Sequence, residues 1–315
     1  MFKLIPSLHS TIWGGNRLMS YYGDNNMDNI AESWVLSCHG DGPSIIAEGE
    51  FAGEELAKHI TKADIGTNCP VSDAFPVLIK FIDARDKLSI QVHPDDEYAV
   101  AHTNEKNGKT EAWYILDTEE NSELIYGFNR EVTKEEFRSA IDNGTLEELC
   151  YAPKVSSGDV AFIPAKTLHG IGAGIFLIEV QQSCNVTYRA YDYKRVQSDG
   201  TLRPVHIDDS VAVSDCKPAN VNFAPRGELE KCGLSEKQLL VSCEYFNMTK
   251  VFCKSEYKAV ADEKSFVSLV ILSGDGVVRC GDTEYSVKIG DSIFIPAGSG
   301  EFVVTGNAEI LETRI

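Results

Sequence analysis

His169 closes the segment Gly158-x5-Pro164-Ala165-Lys166-Thr167-Leu168-His169, and a histidine so placed can ligate a metal if it finds partners. Gln91-Val92-His93 offers two side chains on one face of a strand, because residues two apart point alike. Glu111 follows eighteen residues after His93. Two imidazoles and a carboxylate suit Zn²⁺, with a fourth position open to an amide oxygen, water or substrate. The same set suits Fe²⁺ or Mn²⁺, so ligand type leaves the metal open. Each residue alone has a plain alternative: a strand histidine in a core or at a surface, and a glutamate at a solvated strand end. The other histidines, His9, His39, His59, His102 and His206, join no such constellation; His39 and His206 are the best placed to line a pocket indirectly.

These side chains need a rigid frame, and the sequence predicts a β-rich one. Short β-branched or aromatic runs bounded by Gly, Asp, Asn and Pro recur at Ala112–Leu116, Asp159–Ile163, Ile175–Gln181, Phe266–Leu272, Gly276–Arg279 and Ser292–Ile295. Many short strands with frequent turns suggest a sandwich or jelly roll. Helical pattern is scarce. Glu54–Lys62 reads as a short amphipathic helix ended by Gly66. Thr133-x-x-Glu136 and Thr145-x-x-Glu148 are two capping boxes, giving a helical hairpin over 133–150 interrupted by Gly144.

An internal repeat organises the chain. Gly158-Asp-Val-Ala-Phe-Ile-Pro-Ala165 returns 132 residues later as Gly290-Asp-Ser-Ile-Phe-Ile-Pro-Ala297, with six of eight positions identical. Ile175–Gln181 likewise returns as Asn307–Thr313. Two copies of one β-domain follow: residues 1–205 carry the candidate metal set and the hairpin, 206–235 form a linker, and 236–315 form a second copy lacking metal ligands.

Composition narrows the function. The chain has 315 residues and a formal net charge of −19, from 48 acidic and 29 basic side chains. That field opposes sequence-independent nucleic-acid binding and anionic membranes, and it makes an anionic substrate depend on a local basic pocket. No apolar run approaches the roughly 20 residues of a spanning helix. The start does not read as a signal peptide. Nine cysteines occur singly, without Cys-x-x-Cys, which reads as reduced thiols in a cytoplasm.

The repeat resembles the cupin motif Gly-x5-Pro-x-Gly-x2-His. The first copy departs only at Lys166; the second keeps Gly298 but has Glu301 at the histidine position. The match extends further, to the short bacterial form of the type I mannose-6-phosphate isomerases. It is carried by Trp13-Gly-Gly15, Glu32-Ser-Trp34, Phe75–Lys80, Ile82-Asp-Ala84, Leu88–Asp96 with its Gln-Val-His-Pro, Gly108-Lys-Thr-Glu111, Thr167-Leu-His-Gly170 and Gln181–Ser183 running into Thr187–Tyr193. The resemblance implies a mainly β bicupin of two jelly-roll barrels. It also implies one Zn²⁺ per chain on His93, Glu111 and His169, with Gln91 as a further ligand. Arg189 would be the active-site arginine and Lys109 a substrate contact. Without the resemblance, Arg189 reads as a salt-bridge partner of Asp192 or part of a stripe with Tyr188, Tyr191 and Tyr193. Cys184-Asn185, after Gln-Gln-Ser, departs from the family pattern and reads as an unreactive thiol.

The activity implied is interconversion of D-mannose 6-phosphate and D-fructose 6-phosphate through an enediol-like intermediate, by a cytoplasmic monomer or homodimer with no nucleic-acid or membrane partner. Lys109 and Lys166 are alternatives to Arg189 for the phosphate. Rival readings are a metal-dependent cupin oxygenase and a non-catalytic sugar-binding bicupin.

Overall fold

A computed structural model describes residues 1–23, 26–69, 74–197 and 200–315. Two antiparallel sheets form the N-terminal sandwich. The larger has six strands in the spatial order Ser7–His9, Glu32–Leu36, Val77–Ala84, Ile175–Gln182, Glu111–Thr118 and Val160–Ile163. The smaller has four, in the order Tyr188–Tyr191, Ile90–Val92, His169–Ile171 and Leu124–Tyr126. A nine-stranded sheet makes the C-terminal unit and takes in the Phe2–Ile5 strand, which pairs with Ser292–Ile295. No helix among the described residues is long and apolar enough to cross a membrane.

The central strands Val77–Ala84 and Ile175–Gln182 are buried at every position. Period-two alternation sorts their side chains. Val77, Ile79, Phe81, Phe176, Ile178 and Val180 pack in one core with Phe246, Met248, Phe294 and Leu311 of the C-terminal unit. Ile82, Ala84, Ile175 and Leu177 pack inside the sandwich. Lys80 and Glu179 share that inner parity, so two charges face the interior.

The repeat is structural as well as sequential. Gly158 and Gly290 take φ values of +97° and +86°, a region that suits glycine. In each copy the following aspartate accepts a hydrogen bond from the backbone N–H three residues earlier: Ser156 to Asp159 at 2.8 Å and Lys288 to Asp291 at 3.0 Å. The strand that follows then pairs outward in the same way: Val160–Ile163 with Glu111–Thr118, and Ser292–Ile295 with Val267–Cys280. Glu111 lies opposite Ile163, and Val267 opposite Ile295. Glu301, at the His169 position, is exposed, and an apolar cluster including Tyr257, Leu269, Ile271 and Phe302 fills the second barrel.

Lys166, the one departure from the motif, has φ +72°, and its counterpart Gly298 has +76°. The lysine therefore adopts a glycine conformation, at a cost of about 1–3 kcal/mol. Its backbone N–H donates to the His93 carbonyl at 2.8 Å, which holds the turn against the site. Its ammonium pairs with Asp95 at the surface, an interaction worth at most about 1 kcal/mol. Lys166→Gly is therefore expected to melt at or above the parent temperature and Lys166→Val below it; the opposite order in thermal denaturation would refute the strain.

Three local expectations need correction. Glu54–Lys62 is not one helix but a 3-10 turn, Leu56–Lys58, followed by a helix over Lys62–Ile65. The Glu54 carbonyl and the Leu56 N–H are engaged by Ile46 and Ser44, which holds that backbone out of a helix. The helix Lys134–Asn143 does begin with the Thr133/Glu136 capping box and ends at Gly144 in the left-handed region. Thr145 makes no second capping box, however. Its N–H bonds back to the Ala140 carbonyl and that of Gly144 to Ile141, a Schellman ending, and the second arm of the hairpin is a 3-10 helix, Leu146–Leu149, that Thr145 precedes without a side-chain cap. Phe266–Leu272 and Gly276–Arg279 belong to one strand, Val267–Cys280, with an irregularity between Ile271 and Ser273.

Candidate metal centre

Glu111 opens a strand of the larger sheet and His169 one of the smaller, so the two sheets carry the set together. His93 directly follows the Ile90–Val92 strand. One candidate ligand atom from each of His93, Glu111 and His169 lies within 4.8 Å of the others, and all three residues are about 1% exposed. The solvated strand end is thereby excluded for Glu111.

The histidine tautomers follow from their partners. His93 Nδ1 lies 2.8 Å from the Val186 carbonyl and His169 Nδ1 2.8 Å from the Thr167 carbonyl. A carbonyl only accepts, so each Nδ1 carries a proton and each Nε2, the nitrogen able to ligate a metal, points inward. His169 Nε2 is 3.1 Å from Glu111 Oε1, and His93 Nε2 is 3.6 Å from Glu111 Oε2. Burial, then the charge of Lys109, holds the His93 pKa well below its usual range, so the ring stays neutral. Burial alone would raise the Glu111 carboxyl, but the Lys109 ammonium leads the effects that outweigh it and hold it well below the carboxylate range.

Two ring nitrogens and a carboxylate thus converge in a buried space. Neither Glu111 oxygen makes a hydrogen bond of good geometry, although both are buried. The Lys109 ammonium stands 2.7 Å from Glu111 Oε2 and 3.2 Å from His93 Nε2. The donor set, two imidazoles and a carboxylate, fits a divalent metal ion. Gln91 is half-buried, with its Nε2 placed 3.5 Å from His169 Nε2 and its Oε1 accepting from Ser89 Oγ at 3.1 Å. Its nitrogen and oxygen are nearly interchangeable in position, and the Ser89 hydroxyl can bond either. A flip of the amide turns its oxygen to the ligands.

Gly108 explains the start of Gly-Lys-Thr-Glu. A Cβ there would stand 2.3–2.6 Å from the backbone of Pro94, Asp95 and Asp96. Asp96 Oδ1 accepts from the Gly108 N–H at 2.7 Å and from Gln182 Nε2 at 2.9 Å, and Gln182 Oε1 accepts from the Thr110 N–H at 2.8 Å. The segments bearing His93 and Glu111 are locked together.

Beside the ligands opens a cavity of about 290 Å³, lined among others by Gln91, Lys109, Arg189 and Arg203. Its floor includes one in-register row across the larger sheet: Trp34, Lys80, Glu179, Trp113. Lys80 Nζ lies 3.3 Å from Glu32 and 3.2 Å from Glu179, and Trp113 Nε1 donates to Glu179 at 2.7 Å. Net of burial, Glu179 and Glu32 raise the Lys80 pKa and keep it charged. No motif in the sequence singles out a role for Lys80, Glu179, Glu32, Trp113 or Arg203. A lysine and a glutamate inside otherwise apolar strands were the available signal.

Arg189 lines the cavity, and no ion pair of it exists among the described residues: Asp192 is held by Arg195 at 2.9 Å and, more loosely, by Arg203 at 3.8 Å. His206 clamps Arg189 by its backbone, donating its N–H to the Arg189 carbonyl at 2.8 Å and accepting the Arg189 N–H on Nδ1 at 3.2 Å. His39 instead lines a separate cavity beside Glu105, while His9 stands in the wall of the main one, a place the sequence reading did not give it. Lys166 is turned to Asp95 and does not line the cavity, so it drops out as a phosphate contact. Cys184 is buried and its thiol is pushed up to about 11, as befits an inert cysteine.

Fold and site together define a cupin-type protein with a metal-binding triad. Residues 1–133 match the model "Phosphomannose isomerase type I, catalytic domain", and residues 235–315 match "Mannose-6-phosphate isomerase, cupin domain". The chain is 34% identical to mannose-6-phosphate isomerase ManA of Bacillus subtilis, covering 98% of this chain and 97% of that one. It is 35% identical to mannose-6-phosphate isomerase of Streptococcus mutans, over 99% and 97%. The crystal structure of the mannose 6-phosphate isomerase from Bacillus subtilis superposes with a TM-score of 0.89 at 31% identity, covering 100% of this chain and 99% of that one. The chain belongs to the mannose-6-phosphate isomerase family.

Proposed function

We propose that the chain interconverts D-mannose 6-phosphate and D-fructose 6-phosphate at the His93–Glu111–His169 centre, with one Zn²⁺ held by these residues and Gln91. The observation carrying this reading is the buried Glu111 carboxylate, without a well-formed hydrogen bond and faced by two imidazole nitrogens, behind a charged cavity that Gln91 and Lys109 line. The bound ion supplies Lewis-acid stabilisation of a sugar oxygen that gains negative charge. The residues of the chain do the rest. The cavity walls position the open-chain sugar. Lys109, held between Glu111 and Glu179, presents an ammonium to the reacting end. Arg189, clamped by its backbone and outside the ligand set, contributes a fixed positive charge to the substrate.

Incubation with mannose 6-phosphate tests the reading: fructose 6-phosphate is expected without O₂ or a 2-oxo acid. A requirement for either would favour a cupin oxygenase, and binding without turnover would favour a sugar-binding protein. Elemental analysis after dialysis is expected to find close to one divalent ion per chain; two tightly held ions, or none in an active sample, would refute the single centre. The same reading carries a cytoplasmic enzyme of small phosphosugars with no nucleic-acid or membrane partner.

A further inference from the structure

Charge in the cavity is divided unevenly. Its charged lining residues are Glu32, Lys80, Lys109, Glu179, Arg189 and Arg203. At the metal end the two ammonium groups are already engaged: Lys80 with Glu32 and Glu179, Lys109 with Glu111 and Glu179. Cations there are matched by carboxylates before any substrate arrives. Arg189 and Arg203 stand at the other end. Arg189 makes no ion pair among the described residues. Among the described residues Arg203 has only Asp192 at 3.8 Å, a carboxylate that Arg195 already holds at 2.9 Å. Among the described residues one carboxylate, Asp192, thus stands against the three guanidinium groups of Arg189, Arg195 and Arg203, a local excess of positive charge in a chain whose net charge is −19.

We infer that Arg189 and Arg203 form a two-guanidinium clamp for the substrate's phosphate, with Arg203 as its specificity-determining residue. The inference rests on the isomerase reading and deepens it. The clamp comes from two separate elements. Arg189 lies on the Tyr188–Tyr191 strand. Arg203 follows a hairpin closed by a bridge between Val196 and Leu202, and its N–H donates to the Arg195 carbonyl at 3.3 Å. Position fits as well. Arg189 pairs in register with Gln91, and Gln91 with His169, so the three form one row across the smaller sheet. Directly paired residues share a face. Two strand spacings, roughly 10 Å, separate the ends of the row. A six-carbon chain of ~1.5 Å bonds bearing a terminal phosphate reaches across it. Burial and then the neighbouring Arg203 lower the Arg189 pKa, and Asp192 offsets them only in part, as for two guanidinium groups that share a space. Planar forks suit phosphate oxygens, which accept two hydrogen bonds from each.

The test is Arg203→Ala, assayed with mannose 6-phosphate and with inorganic phosphate as a competitive ligand, its affinity read by calorimetry. KM and the phosphate Kd are each expected to rise about 10–100-fold, the loss of a charge-assisted contact, with kcat within a few-fold and bound metal unchanged. Arg203→Lys is expected to recover only part of the loss. Lys166→Gly removes a cation outside the cavity and is expected to move neither constant. Unchanged KM and unchanged phosphate affinity in Arg203→Ala would overturn the clamp. If the parent protein fails to turn over mannose 6-phosphate, the isomerase reading falls, while loss of phosphate affinity in Arg203→Ala would still sustain the clamp.

Discussion

Glu111→Gln is expected to give a folded protein that has lost its metal and its activity together. The carboxylate is the one anionic group in the ligand set, and an amide cannot replace its charge. Altering a group that merely supports a ligand costs 10–100-fold in metal affinity; removing the ligand itself should exceed ~100-fold, and turnover should fall in step. The fold should survive, because the sandwich is held by apolar strands and Lys109 keeps Glu179 at 3.6 Å as a second counter-charge. His169→Ala should behave likewise, with no effect on Glu111 beyond the lost contact at 3.1 Å. Circular dichroism and elemental analysis on one preparation separate the outcomes. Parental metal content in either variant would remove that residue from the ligand set.

Arg189→Ala is expected to do the reverse: keep its metal and lose kcat/KM by on the order of 10²-fold or more. The guanidinium contacts no ligand, so the centre should stay loaded. Its backbone stays fixed by His206 in the variant, so the loss reports the side chain. A loss carried by KM matches phosphate holding, and a loss carried by kcat places the charge at the enediol oxygens. Arg189→Lys should rescue only part, since a point ammonium lacks the planar fork. Parental kinetics in Arg189→Ala would leave the residue a structural one and weaken the isomerase assignment.

The candidate triad His93, Glu111 and His169 was legible in the sequence because each member sits in a short segment whose neighbours serve its placement. Gly108 admits the backbone of Pro94–Asp96, Pro164 turns the chain, and His93 directly follows the strand that carries Gln91. The repeat was legible for the same reason, since its glycine-aspartate turn is local. What escaped was assembled by pairing between distant strands. The Trp34–Lys80–Glu179–Trp113 row exists only through sheet register, and no local spacing encodes it. Arg203 follows a short hairpin whose pattern does not disclose what it overhangs. His9 is in the cavity wall because its strand pairs with Glu32–Leu36 at the edge of the larger sheet. Thr145 failed as a cap because the preceding helix uses its N–H, a competition that a four-residue motif does not record.

The most direct test is a metal titration of the chelator-stripped protein, with isomerase rate and bound Zn²⁺ read on the same samples. Negligible turnover is expected without metal, followed by a linear rise of rate with bound ion that ends at one equivalent per chain. Full conversion of mannose 6-phosphate by the metal-free protein, or a rate that climbs only after a second equivalent binds, would contradict a single catalytic centre at His93, Glu111 and His169.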